Sequence, residues 1–489
     1  MPPLISSTPS SPTPIPQDRF KNLALELPGL GKLWVTAPLK QGPETSIYRT
    51  TSPGIVAKIF DLDCPKADEV AYGPYMSFSL EVANFEDVQH LDDLRPFLPT
   101  FHGANIDYPR KFAFILMEFL DGQDLQSWCN DASNNGYEGD WELDFKRAIF
   151  QTLHVMTRFH RHGIVVIDFK PDNVMRLPQR GIKFVDFGAF LTPRHQSEPE
   201  KYVYSATPEY AELVIDTSNI QGGSPPTETS DIFATGVALF ELATGTSRLE
   251  IAPDTALEIL SNPSIYRFWD TQIHDLWKSY PHLQNLLPLV ETQLKEQRLL
   301  FADFWQVLKG YLAAKYEDWD SMSTEQHNQI LMETGTTFIA GHLPASLNWL
   351  ATPIAHATTL RGLRIPSVHD LMRQLADPLD PTLLAEIESR NQFIQNLRDS
   401  QLPTHFLADL NTWDARQAPA SADAAWGLSA PLAWAHATDN APFTFLKTIT
   451  TDPDDHRFLR IVGDNEADLI NDTRQTLAHV RDDHLAWIL

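Results

Sequence analysis

The chain has 489 residues, 43% hydrophobic and 21% charged, with 64 Asp and Glu against 38 Lys and Arg, giving a formal net charge of −26 at pH 7. This length and composition predict several globular domains with buried cores, and the negative charge opposes nucleic acid and anionic membrane surfaces. Only Cys64 and Cys129 occur, without a CxxC or Cys/His cluster, so a disulfide framework and a structural zinc site are excluded. Residues 1–20 begin "MPPLISSTPSSPTPIPQ", an uncharged Pro/Ser/Thr-rich arm expected to be disordered. It has neither the basic nor the apolar region of a secretory signal, so a cytoplasmic compartment is expected, with an injected effector as the alternative. No apolar run reaches membrane-span length: "IFATGVALFEL" is too short and contains Glu241.

From Leu30 to about Ile115 the pattern predicts strands with one helix. "SIYRT" and "GIVAKIF" are β-branched or aromatic runs separated by "TSP", a hairpin signal. "YMSFSLEVANFEDVQHL" carries Phe78, Val82, Phe85 and Val88 at helical spacing. "KFAFILMEFLDG" reads as a buried strand ending on an Asp-Gly turn. "WELDFKRAIFQTLHVMTRFHRHG" is an amphipathic helix stopped by Gly163, followed by the short strands "IVVI" and "IKFVDF". The last 175 or so residues read as mixed α/β. Asp380-Pro381 starts a helix, "QAPASADAAWGLSAP" breaks the chain, and "FTFLKTIT" and "RFLRIV" look like strands paired around "TDPDDH".

One set of residues suits phosphoryl transfer, which needs a metal held against phosphates, a cation on the nucleotide and a carboxylate for the acceptor hydroxyl. Asp168 in "DFKPDN" supplies the base, and Lys170 neutralises charge on the transferred group. Asn173 and Asp186, the latter in "VDFGAF", are hard oxygen ligands for Mg²⁺ (or Mn²⁺). Lys58 in "IVAKIF" sits on a strand that would aim it at the α/β-phosphates of ATP. Taken singly, Lys58 reads as a surface lysine, Asp186 as a turn residue and Asp231 as a helix cap; their ordered placement together favours the chemical reading.

In these motifs the chain resembles the eukaryotic-type protein kinase superfamily, over roughly residues 25–315. "DFKPDN" resembles its catalytic loop and "DFG" its magnesium loop. The resemblance implies an α+β, bilobal protein kinase-like fold, with a small β-rich lobe at about 25–117 and a larger α-helical lobe at about 118–315. Residues 316–489 would form an additional α/β or mostly helical extension. It also implies Met117 as gatekeeper, backbone contacts of Glu118 and Leu120 with adenine, and Asp124 near the ribose. Asp231 would hold the catalytic-loop backbone, and Arg298 would pair with the acid closing the activation segment. That acid is Glu209 or Glu212, with Glu209 favoured because "TPE" keeps a Pro-Glu pair. Lys58 would pair with Glu81 or Glu86; Glu81 is preferred because Phe85, four residues on, suits a buried position.

Two departures from the family stand out. Lys40, Gly42 and Thr45 fall on the three glycine positions of its phosphate loop, so only Gly42 survives. Val166 and Ile167 replace the His and Arg before the catalytic Asp, which removes the arginine that clamps an activation-loop phosphate and leaves the chemistry intact. The expected activity is transfer to Ser/Thr hydroxyls of a protein substrate or of the chain itself. The alternatives are a pseudokinase scaffold, favoured by the altered glycine loop, and a small-molecule kinase. The latter type generally lacks Lys170 and the segment from "TPE" to "SDIFATGVALFELATG".

Overall fold

Short β-branched runs in the first quarter of the chain build an antiparallel sheet, and longer 3.6-period runs build helices after it. The computed structural model describes residues 19–64, 73–136, 141–177, 181–196, 206–213, 226–280, 283–284 and 286–376, with two short strands near the C-terminus. Two units result: residues 1–78 with 101–119, and residues 79–100 with 120–489.

The first unit is a six-stranded sheet in the order β1-β2-β3-β4-β6-β5. Its strands are Ala24–Leu27 (β1), Gly31–Gln41 (β2), Thr45–Thr50 (β3), Ile55–Asp61 (β4), Phe101–Asp107 (β5) and Phe112–Glu118 (β6). The expected hairpin is β3-β4, in register Ile47↔Lys58, and β4 continues into β6 with Lys58↔Ile115. Strand β4 lies between two neighbours and is buried on both faces, so it reads as a near-continuous apolar run. Ala57 and Ile59 enter a core with Leu25, Tyr48, Phe112 and Leu116. By the two-residue period, Lys58 shares the opposite face with Val56 and Phe60.

The helix Pro74–Val88 (α1) belongs to the second unit from Ser79 onward, so residues 79–100 leave the β-rich lobe to which the sequence reading assigned them. The second unit continues with a strand Gln123–Asp124 (β7) and the helices Leu125–Asn135 (α2) and Trp141–Arg161 (α3). Helix α3 stops at Gly163, whose φ of +68° is open to glycine at little steric cost. Strands Val174–Leu177 (β8) and Gly181–Phe184 (β9) complete a small sheet with β7. A short helix Pro193–Gln196 (α4) precedes the central helix Glu228–Thr244 (α5), most of whose residues are buried.

The helical lobe was expected to end at 315, and the structure shows no break there. Arg248–Glu250 (β10), Pro253–Ser261 (α6), Pro263–Ser279 (α7), Leu286–Lys295 (α8), Arg298–Leu300 (β11) and Phe301–Lys315 (α9) lead into three further helices. These are Thr324–Ala340 (α10), Ala351–Thr358 (α11) and Val368–Ala376 (α12). Helix α11 packs on α5, α12 on α3 and α10 on α9. The α5–α11 crossing is close: a Cβ on Gly236 would meet Thr358 Cγ2 at 2.6 Å and Ala357 Cβ at 2.8 Å. Ile354, Ala355, Leu371 and Leu375 are buried in this layer. In the polar stretch after Lys315, "YEDWDSMSTEQ", Ser323 and Gln326 cap α10. Among the described residues no helix is long and apolar enough to cross a membrane.

Near the C-terminus Phe443–Phe445 pairs antiparallel with Ile461–Gly463, overlapping the two runs expected to pair. The N-terminal arm through residue 18, the Asp380-Pro381 helix start and the Ala/Pro-rich break lie outside the described residues.

Candidate active site

The loop that precedes β8 is organised from below by Asp231, which is fully buried in the first turn of α5. Its two carboxylate oxygens accept the backbone N–H groups of Val166 and Ile167, each at 2.8 Å, and His160 Nε2 lies 2.8 Å from Oδ2. Ile167 adopts φ +64°, a conformation that a β-branched residue avoids. The two charge-assisted bonds to Asp231 hold this strained turn in place.

Asp168 follows immediately. Its Oδ1 accepts the N–H and the hydroxyl of Thr207, both at 2.7 Å, and Lys170 Nζ lies 2.9 Å from Oδ2. Lys170 also donates to Thr207 Oγ1 at 2.8 Å, closing a three-residue ring. Asn173 Nδ2 donates to the Asp168 carbonyl at 3.0 Å and to its carboxylate at 3.3 Å. Sequence reasoning missed Thr207. The signal was present in "TPE", whose threonine precedes the Pro-Glu pair that drew attention instead.

Asp186 takes φ +66° at the turn after β9. A Cβ placed on Gly188 would lie 3.7 Å from Asp186 Oδ1 and 3.9 Å from Glu81 Oε2, so these two carboxylates converge on one point. Glu81 is buried while Glu86 is exposed, and Phe85 packs tilted against Phe187 with ring centroids 4.3 Å apart. Asn84, also unnoticed in sequence, donates to the Phe187 carbonyl at 2.6 Å. Phe187 further meets Phe190, which meets Phe159.

The Asn173 amide nitrogen is committed to Asp168, which leaves its oxygen, with the Asp186 carboxylate, as the hard donors for a divalent cation. Among the described residues no group of three His, Cys, Asp or Glu forms a complete metal cage. Two such oxygens suit an ion that completes its shell with phosphate oxygens and water.

In the first unit, Lys58 is 8% exposed on β4. Gly42 lies in the β2–β3 turn, where a Cβ would sit 2.8 Å from the Thr45 carbonyl oxygen. The turn geometry itself therefore demands glycine there. Met117 is buried between Val56 and Phe101, and Glu118 pairs with Ile55. In the second unit the Leu120 carbonyl accepts the Gly122 N–H. Asp124, expected near a ribose, uses both carboxylate oxygens to cap α2 through the N–H and hydroxyl of Ser127, at 2.7 and 2.8 Å.

The acid that anchors the activation segment is Glu212, not the favoured Glu209. Glu212 is buried and accepts from Ser230 Oγ at 2.6 Å, Arg361 at 2.9 Å and Arg364 at 2.8 Å. Burial pushes its carboxyl up, but Arg364, Ser230 and Arg361 outweigh that and hold it below its ordinary value. Glu209 sits near the surface against Arg248 at 3.2 Å. Arg298, expected as the anchoring arginine, is half-exposed and lies 3.7 Å from Glu250. The correction has a steric reason. With Thr207 held on Asp168, the turn closed by Tyr210 N–H on the Thr207 carbonyl carries Glu209 outward and Glu212 inward.

An antiparallel sheet unit, a helical unit, an Asp-Lys-Asn loop and a DFG turn are the features expected of a protein kinase-like fold. Residues 91–304 match the Protein kinase domain family. It is 33% identical over 187 residues to the probable serine/threonine-protein kinase PknB of Lactococcus lactis, covering 37% of this chain and 25% of that protein. It is 31% identical over 143 residues to the serine/threonine-protein kinase pkn3 of Myxococcus xanthus, covering 27% and 24%. Myosin light chain kinase 3 of Rattus norvegicus is 33% identical over 135 residues, covering 27% and 16%. The matches thus span about a quarter or less of these relatives.

Proposed function

We propose that the chain transfers the γ-phosphoryl group of ATP to Ser or Thr hydroxyls of a protein, or of itself, with Mg²⁺ (or Mn²⁺) held by Asn173 and Asp186. The observation that carries this reading is the Asp168–Lys170–Thr207 ring, which fixes a carboxylate beside a cation where an acceptor hydroxyl would be received. Asp168 orients that hydroxyl and takes its proton as the bond from the hydroxyl oxygen to the γ-phosphorus forms and the bond to the β-γ bridging oxygen breaks. Lys170 offsets the charge that develops on the transferred group. The divalent ion supplies further charge neutralisation on the phosphates. On the family resemblance, Lys58 serves the α/β-phosphates and Met117, Glu118 and Leu120 the adenine.

Asp172, Glu209 and Glu241 gather around Tyr210, whose hydroxyl bonds Glu241. Burial, with Asp172 and Glu209 nearby, pushes the Glu241 carboxyl up. An acidic neighbourhood beside the catalytic loop favours a basic acceptor segment. The loss of glycine at Lys40 and Thr45 favours a second reading, a scaffold that binds nucleotide without turnover. Purified protein with Mg²⁺ and labelled ATP decides between them. Labelling of itself or a basic protein is expected, with Asp168→Asn lowering the rate on the order of 10²–10⁴-fold. Nucleotide-induced thermal stabilisation without any label would support the scaffold, and the absence of both would refute nucleotide chemistry altogether.

A further inference from the structure

In α1, residues 80, 84 and 87 and residues 81 and 85 project from one side of the helix, by the three-to-four-residue repeat. In this structure that side meets the segment from Asp186 to Arg194 along its length. Leu80 packs against a cluster of Val165, Ile167 and Leu191. Glu81 approaches Gly188, Asn84 holds the Phe187 carbonyl and Phe85 holds the Phe187 ring. At the far end, the Asp87 carboxylate accepts the hydroxyl of Thr192 at 2.8 Å and forms an ion pair with Arg194. Thr192 is buried and its oxygen also lies 3.2 Å from His195 Nδ1.

A kinase switched on by phosphate uses an added dianion to gather basic side chains and order this segment. Ile167, in an apolar cluster, offers no cation to such a group. The segment instead carries its own cation, Arg194, and the helix carries a permanent anion.

We propose that Asp87 does the ordering work of an activation-segment phosphate: it is a positioning residue that fastens α1 to the segment following the magnesium loop through Thr192 and Arg194, so that the site is assembled without phosphorylation. This rests on the kinase reading above. Asp87 touches neither nucleotide nor acceptor in this assignment and acts through the placement of Glu81, Asp186 and Phe187.

The test uses the full chain, stripped of phosphate by phosphatase and checked by intact mass. The phosphate-free wild type should retain its full rate. Asp87→Ala should lower kcat roughly 10–100-fold, as misplacement of catalytic groups does, and should speed amide hydrogen exchange across residues 187–194. Asp87→Glu, which keeps the charge, should recover most of both. An Asp87→Ala protein with wild-type rate and exchange overturns the proposal, as does a phosphate-free wild type that is inactive until phosphorylated. A wild type that binds Mg-ATP and labels nothing overturns the kinase reading instead, and the exchange comparison then decides the role of Asp87 by itself.

Discussion

Arg364 offers the sharpest test of how the activation segment is anchored. Its side chain is 3% exposed and reaches Glu212, the Thr229 carbonyl and the Thr359 carbonyl. Removing one member of a buried ion pair leaves the other charge unmatched and costs about 3–5 kcal/mol. Ser230 and Arg361 remain on Glu212, so Arg364→Ala should fall at the lower end, about 3 kcal/mol. With a urea slope of about 3 kcal/mol/M, the unfolding midpoint should drop by about 1 M. Arg298→Ala removes only a half-exposed pair and should shift the midpoint by no more than about 0.3 M. The difference should depend on pH. Because the folded state holds the Glu212 carboxyl below its ordinary value of 4.5, its stabilisation is present above that value and is lost as pH falls through the lower, folded one. The deficit of Arg364→Ala should therefore narrow in acid. Equal midpoints for the two variants, or a larger effect of Arg298→Ala, would refute the assignment.

Two further tests follow from polar groups. Asp303 lies in the first turn of α9 with Gln293 bonded to Oδ2 at 2.6 Å, and burial pushes its carboxyl from 3.8 up to about 6. Its folded-state proton is then lost as pH rises through about 6, so Asp303→Asn should raise the melting temperature above that pH, by up to roughly 3 kcal/mol of stability, and match wild type below about pH 4. Thr207→Val keeps the side-chain shape but removes the hydroxyl between Asp168 and Lys170; steady-state kinetics should show kcat reduced on the order of 10–100-fold with KM for ATP unchanged.

The sequence carried most of the lobe that holds the candidate site because its signals are local. Strand β4 announced itself by β-branched density, α3 by its period and its terminal glycine, and Asp168, Lys170 and Asn173 by spacing within six residues. The choice of Glu81 over Glu86 rested on a single helical increment to Phe85. What escaped depends on long-range packing. Thr207 meets Asp168 across 39 residues and Asn84 meets Phe187 across 103, and neither side chain is unusual in its own neighbourhood. Glu209 looked better than Glu212 because a dipeptide was weighed without the burial that decides which acid needs an arginine. That helices continue past 315 is likewise a matter of long-range packing, seen in α11 against Gly236.

The Glu212–Arg364 bond also has a consequence in time. Its partners are 152 positions apart. At a synthesis rate of about 5–20 residues per second, Arg364 is made roughly 8–30 s after Glu212. Throughout that interval the nascent chain holds every residue of the catalytic loop while the segment that carries Thr207 lacks its anchor. Emergence of α11 and the turn after it from the ribosome thus becomes the step that supplies this anchor, and a chain cut short before Arg361 would leave Glu212 without either arginine that matches its charge.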